Sequence, residues 1–195
     1  MSIKEKWLVV KERIEQACAR SGRKPEEITV VAVTKYITSE EMREVFAAGL
    51  DHIGENRVQE ALVKWEELGD QGTWHFIGHL QTNKVKYVLG KFQFIHSLDR
   101  LSLAHEIEKR AQRLGIQIPC FIQVNVSGEA SKFGLPPEEV EAFVEQLADY
   151  PSIRPIGLMT MAPYVEDPDE TRPVFHQLKT LQLRLQDRKF EHAPL

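Results

Sequence analysis

Six times along this chain an apolar stretch gives way to a polar or glycine-containing turn, then to an amphipathic helical pattern that ends near Gly or Pro. Strands are predicted to begin near Ile28, Asp51, Thr73, Phe92, Pro119 and Ile153, and helices to cover 39–48, 57–68, 81–89, 100–114, 136–149 and 169–187. A strand, a helix and a further strand in succession imply parallel pairing, because the chain needs a long crossover to return to the same end of a sheet. A further amphipathic helix over 4–21, with Trp7, Leu8, Val10, Ile14, Ala17 and Cys18 near a 3.6-residue period, precedes the series.

Two α/β layouts accommodate such a series, a doubly wound sheet and a (β/α)8 TIM-type barrel. Polar groups gather where strands end: Lys35; Glu55 and Asn56; His79 and Gln81; His96, Ser97 and Asp99; Asn125 and Ser127; Thr160. A barrel brings all such ends to one face, whereas an open sheet concentrates them at its switch point, so the barrel is preferred. No Gly-x-Gly-x-x-Gly follows the first strand, which argues against the dinucleotide-binding sheet. The expectation is one domain over 1–195, a barrel with an extra N-terminal helix that stops after about six strands. Phe190 to Leu195 read as the approach to a seventh strand, and strands seven and eight are expected to be absent, since six would leave two edges unpaired.

A length of 195 residues suits a single core. The 25 Lys and Arg against 29 Asp and Glu, interspersed and summing to −4, give no electrostatic reason to expect a nucleic-acid or membrane partner. Cys18 and Cys120 lack metal-type spacing and suit a reducing compartment. No apolar run approaches the length that spans a bilayer, and the first residues lack a signal-peptide core, so the protein is expected to be soluble and cytoplasmic.

Lys35 closes the mostly β-branched run from Ile28, which reads as a strand buried on both sides. Thr38, Ser39, Glu40 and Glu41 then carry the signature of a helix start, which puts Lys35 on a short strand-to-helix loop. Taken alone, such a lysine is as readily a surface ion pair as a nucleophile. As a nucleophile, a partly desolvated amine would attack an aldehyde such as that of pyridoxal phosphate or a sugar phosphate.

After the second strand, Glu55 and Asn56 are placed to aim at a ligand, while Glu60 belongs to a solvated helix face. His75 and His79 are four apart but straddle a strand and a Gly turn without a His-Glu-x-x-His pattern, so they do not read as a metal site. Along that strand His75 and Ile77 would face one way and Phe76 the other. Lys132 is either a second cation near an anionic ligand or a solvated loop lysine. Met159 and Met161 could flank a flat ring, with core filling the safer reading.

Lys35; Gly54, Glu55 and Asn56 with Val58, Gln59 and Glu60; Trp74 to Gly78 with Leu80, Gln81, Asn83 and Lys84; His96 and Ser97 with Asp99 and Arg100; Gln123 to Asn125; Ser131, Lys132 and Gly134; and Gly157 to Met159 occur in collinear order. Together they resemble the pyridoxal phosphate homeostasis proteins, the YggS/PROSC family, whose fold is similar to the amino-terminal barrel of alanine racemase. The resemblance runs from about Ile28 to Met161. It implies that Lys35 carries pyridoxal 5'-phosphate as an imine. It also implies that Asn56, His75 and Met159 contact the ring, and that Lys132 has a secondary part in holding or passing on the cofactor. Two features depart from the family. Ile37 stands where a further lysine is often found, and the Ser/Gly/Met-rich turn and Arg-x-Gly segment of strands seven and eight, which supply the phosphate cup, are missing from this sequence.

The implied function is cofactor storage and delivery without catalysis, since racemisation requires a base opposite the lysine and enzymes of that type draw it from a second domain. Apo-enzymes that use the cofactor are the candidate recipients, and a free-standing barrel favours a monomer. The alternatives are a pyridoxal phosphate-dependent amino-acid racemase, with Tyr36 or Tyr164 as base, and an imine-forming sugar-phosphate aldolase.

Overall fold

The structure, a computed structural model, describes residues 1–195 and contains two compact units, Met1–His75 and Phe76–Leu195. In the first unit, α1 (Ile3–Ser21) is opened by a capping box in which Ser2 and Glu5 satisfy each other's free backbone N–H groups, and it stops at Gly22 in the left-handed region. The strand β1 (Ala32–Val33) leads into α2 (Ser39–Ala47), where Thr38 and Glu41 form the capping box that the sequence predicts. Then follow β2 (His52–Glu55), α3 (Val58–Leu68) and β3 (Thr73–Phe76). Cys18, Met42, Val45, Ile53, Val58, Ala61, Leu68 and Trp74 are the unit's buried apolar side chains on these elements.

The first strand differs from its prediction. It begins at Ala32 rather than near Ile28, and no residue from 28 to 33 is fully buried; Val33 is 56% exposed. The reason is position: β1 ends the strand order and pairs only with β2, in parallel through Ala32 with Ile53 and Val33 with Gly54. A β-branched run fits any pleated surface, and here an edge strand uses it.

In the second unit, a 3₁₀ turn Thr82–Lys84 runs into the one-turn helix α4 (Val85–Val88), so the helix expected over 81–89 is tighter and shorter than its pattern suggests. Then come β4 (Phe94–Leu98), α5 (Leu101–Leu114), β5 (Ile118–Gln123), α6 (Val140–Gln146) between 3₁₀ turns, β6 (Ile153–Met159) and α7 (Arg172–Asp187). β4 pairs with β5 and β5 with β6, all in parallel. The buried Glu108 carboxylate of α5 accepts the Ser152 N–H at 2.8 Å and its hydroxyl at 2.9 Å, fixing the chain as it enters β6.

Strand order follows chain order from β1 to β6. A doubly wound sheet reverses direction at a switch point, and this one never does. The winding is therefore that of a (β/α) barrel, in agreement with the sequence reading.

Candidate functional site

In the first unit the site is built from a turn. Thr34, Lys35, Tyr36 and Ile37 follow β1, and the turn is closed by the Ile37 N–H donating to the Thr34 carbonyl at 3.2 Å. The Thr34 N–H donates to the Gly54 carbonyl at 3.0 Å, which ties the turn to β2. Lys35 is half-buried on this turn. Its ammonium lies 5.0 Å from the centroid of the 78%-exposed Tyr36 ring and enters no ion pair or hydrogen bond.

Glu55 and Asn56 separate in role. Glu55 does not aim at a ligand as its position after a strand suggested; it is fully buried, and its Oε1 accepts from Thr34 Oγ1 at 2.7 Å and from Lys64 Nζ at 2.8 Å. Lys64 is 8% exposed and also donates to the Thr34 carbonyl at 2.7 Å. A buried carboxylate requires a counter-charge, and α3 supplies it one turn above Glu60. Asn56 is half-buried, and its Oδ1 is shielded from water with no hydrogen-bond donor, leaving an acceptor for a ligand to satisfy.

His75 is buried on β3, as are Trp74 and Phe76, so both faces of this strand are covered. Its Nε2 lies 2.9 Å from His52 Nδ1, so one of the two imidazoles donates and the other accepts.

The second unit carries Lys132 and Met159. Lys132 sits in a loop shaped by Asn125, whose Oδ1 accepts the Gly128 N–H at 3.1 Å and whose Nδ2 donates to the Glu129 carbonyl at 2.9 Å. Its ammonium is 2.6 Å from Glu129 Oε1 and also reaches Ser127 Oγ and the Met161 carbonyl. The Lys132 ammonium holds the Glu129 carboxyl below its ordinary range through this hydrogen bond, with the Ser127 hydroxyl adding to the effect. Met159 is half-buried at the end of β6, and Met161 is 61% exposed, so neither fills the core as the safer reading held. Both stand where β6 gives out, and packing has no depth there.

The same unit holds polar groups whose surroundings the sequence did not disclose. His79 stacks on Phe133 with centroids 4.0 Å apart. Burial and then the Arg100 guanidinium hold its imidazole below the ordinary value, against Asp99 at 3.9 Å. Burial pushes the His96 imidazole down to about 4. The Ser97 hydroxyl is buried without a partner. A groove of about 640 Å³ along α7, lined by Val126, Glu138, His176, Thr180 and Arg184 among others, contains none of the residues singled out from sequence. The strand-end chemistry lies elsewhere.

Lys64 is the residue that sequence reasoning missed. A signal was present, since Val58, Ala61, Lys64 and Leu68 share the buried stripe of α3, and a lysine on such a stripe needs a buried partner.

Comparison with known proteins bears on this arrangement. Residues 10–194 match the family described as alanine racemase, N-terminal domain. The chain is 46% identical over 187 residues to the pyridoxal phosphate homeostasis protein of Aquifex aeolicus, covering 95% of this chain and 82% of that one. To the protein of the same name from Pseudomonas aeruginosa it is 40% identical, over 94% of this chain and 80% of that one. The structure of PipY from Synechococcus elongatus with PLP bound superimposes with a TM-score of 0.79 at 33% identity, over 93% of this chain and 85% of that one.

Proposed function

The chain belongs to the pyridoxal phosphate homeostasis proteins, within the alanine racemase N-terminal domain family, and from that premise we propose that it binds pyridoxal 5'-phosphate covalently on Lys35 and releases it without turning over a substrate. The observation that carries the reading is the Lys35 amine, unengaged by any anion, on a turn whose backbone is held from below. The cofactor, when bound, supplies an aldehyde whose carbon the neutral amine attacks, with the carbonyl oxygen leaving as water and no electrons exchanged.

Every other part belongs to the protein. Asn56 supports the fit, since its Oδ1 is a buried acceptor lacking a donor. His75, held at Nε2 by His52, is proposed to lie against the ring, and Met159 to contact it. Lys132 is proposed to hold or pass on the cofactor once Glu129 releases it. Racemisation needs a proton removed from one face and returned to the other. Tyr36 and Tyr164 both extend into water, and a phenol there is not fixed against a reacting carbon, which supports binding without turnover. The recipients proposed are apo-enzymes that use the cofactor, in the cytoplasm, with the chain acting as a monomer. No helix is long and apolar enough to cross a membrane.

Adding pyridoxal phosphate should give an absorbance band near the visible that Lys35→Ala abolishes. Incubation of the coloured protein with L-alanine in heavy water should leave the α-hydrogen in place. A colourless wild type would favour the aldolase, and steady deuterium uptake the racemase.

A further inference from the structure

We propose that Lys64 is a positioning residue for Lys35: from α3 its buried ammonium clamps the backbone turn that presents the attaching amine, with Glu55 as its counter-ion. The inference rests on the reading of Lys35 as the attachment point, and deepens it.

Hydrogen bonds from β2, α3 and the turn itself converge on Thr34, while the amine of the next residue takes none. Its carbonyl accepts both the Ile37 N–H that closes the turn and the Lys64 ammonium, at 3.2 and 2.7 Å. The Thr34 N–H is taken by Gly54, and its hydroxyl donates to the same Glu55 oxygen that Lys64 reaches. A carbonyl has two lone pairs, and here both are used, one for the turn and one for the clamp.

The turn needs such support. β1 has only two residues, so its short ladder to β2 alone gives the following residues little protection against local opening. Attack on an aldehyde requires the amine to be held within reach and correctly directed, and a fraying turn would dilute that geometry.

Charge balance by itself is the plainer account of the pair. It leaves unexplained why the ammonium is aimed at a main-chain acceptor that already has a donor, and a buried ion pair is often replaceable by apolar side chains without loss of stability. The two accounts make different predictions for the double substitution Glu55→Gln with Lys64→Met. That variant removes both charges, so no lone ion remains buried even if Lys64→Met alone fails to fold. It also removes the clamp.

In the protein without cofactor, amide hydrogen exchange at Ile37 should be about tenfold faster in the double variant, the scale of one lost charge-assisted hydrogen bond, while amides in the middle of α2 exchange as in wild type. The rate of the Lys35-dependent absorbance change on adding pyridoxal phosphate should fall by a similar factor. Wild-type values of both would make the pair a matter of charge balance and overturn the proposal. Faster exchange with an unchanged rate would overturn it too, since the clamp would then not serve the amine, and so would a double variant that does not fold, which would assign the pair to the core. If wild type gives no Lys35-dependent change at all, the reading of Lys35 fails on its own, and the Ile37 exchange still decides whether the clamp exists.

Discussion

Two lysines in segments that follow strands, Lys35 in the first unit and Lys132 in the second, are held in opposite ways. Lys35 has a fixed backbone and an unengaged head: Thr34 is bonded to β2, α3 and Ile37, while the ammonium meets only the Tyr36 ring. Lys132 has an engaged head, bound by Glu129, Ser127 and the Met161 carbonyl, in a loop shaped by a single asparagine side chain. A nucleophile must be placed without being consumed, because each hydrogen bond or anion on an amine stabilises the form that cannot attack. By that criterion the unengaged head of Lys35 fits the covalent attachment proposed for it, and the engaged head of Lys132 fits the secondary role proposed there.

The largest expected effect breaks the comparison most directly. After reduction with borohydride in the presence of pyridoxal phosphate, mass spectrometry should find the adduct on Lys35, none in Lys35→Ala, and an undiminished amount in Lys132→Ala. An adduct that survives in Lys35→Ala would reverse the roles. Next comes stability. Glu55→Ala leaves the Lys64 charge buried and should cost about 3 kcal/mol in urea unfolding. Glu129→Gln removes an exposed partner and should leave the midpoint unchanged while making Lys132 faster to acylate.

A further difference lies in the tight backbone packing at Gly134 in the Lys132 loop. Gly134 has φ +118°, and a Cβ there would lie 2.7 Å from the Asn125 nitrogen and 2.8 Å from the Val124 carbonyl carbon. Gly134→Ala should therefore cost about 2 kcal/mol or shift the loop, measured by thermal unfolding, and Gly128→Ala, which meets open space, should cost less. The last effect, absent at neutral pH and seen only on acidification, concerns His96. Its folded pKa is lowered to about 4 by burial, below the ordinary 6.5, so the unfolded chain binds its proton first. The stability this neutral imidazole contributes is present above about 6.5 and lost as pH falls toward about 4, with a slope of at most about 1 kcal/mol per pH unit. His96→Gln should flatten that part of the profile relative to wild type.

Much of this was legible in the residues. The alternation of strand and helix patterns predicted six parallel strands, and the capping box at Thr38 placed the start of α2 to the residue. Lys35 stood out because a single amine ends an apolar run. The burial of β1 was not legible, since β-branched residues suit an edge as well as a centre and only the strand order decides which. Nor was the direction of Glu55, which depends on a lysine nine positions away turning inward from the next helix. His79 and Phe133 are 54 positions apart, a separation that no local period connects.

Because Thr34 rather than Lys35 takes the bonds that hold the turn, the side chain proposed to react is separable from its mounting. Exchanging that one side chain should leave a folded scaffold, so the same bracket could present a thiol or a hydroxyl in place of the amine and be asked to capture a different electrophile.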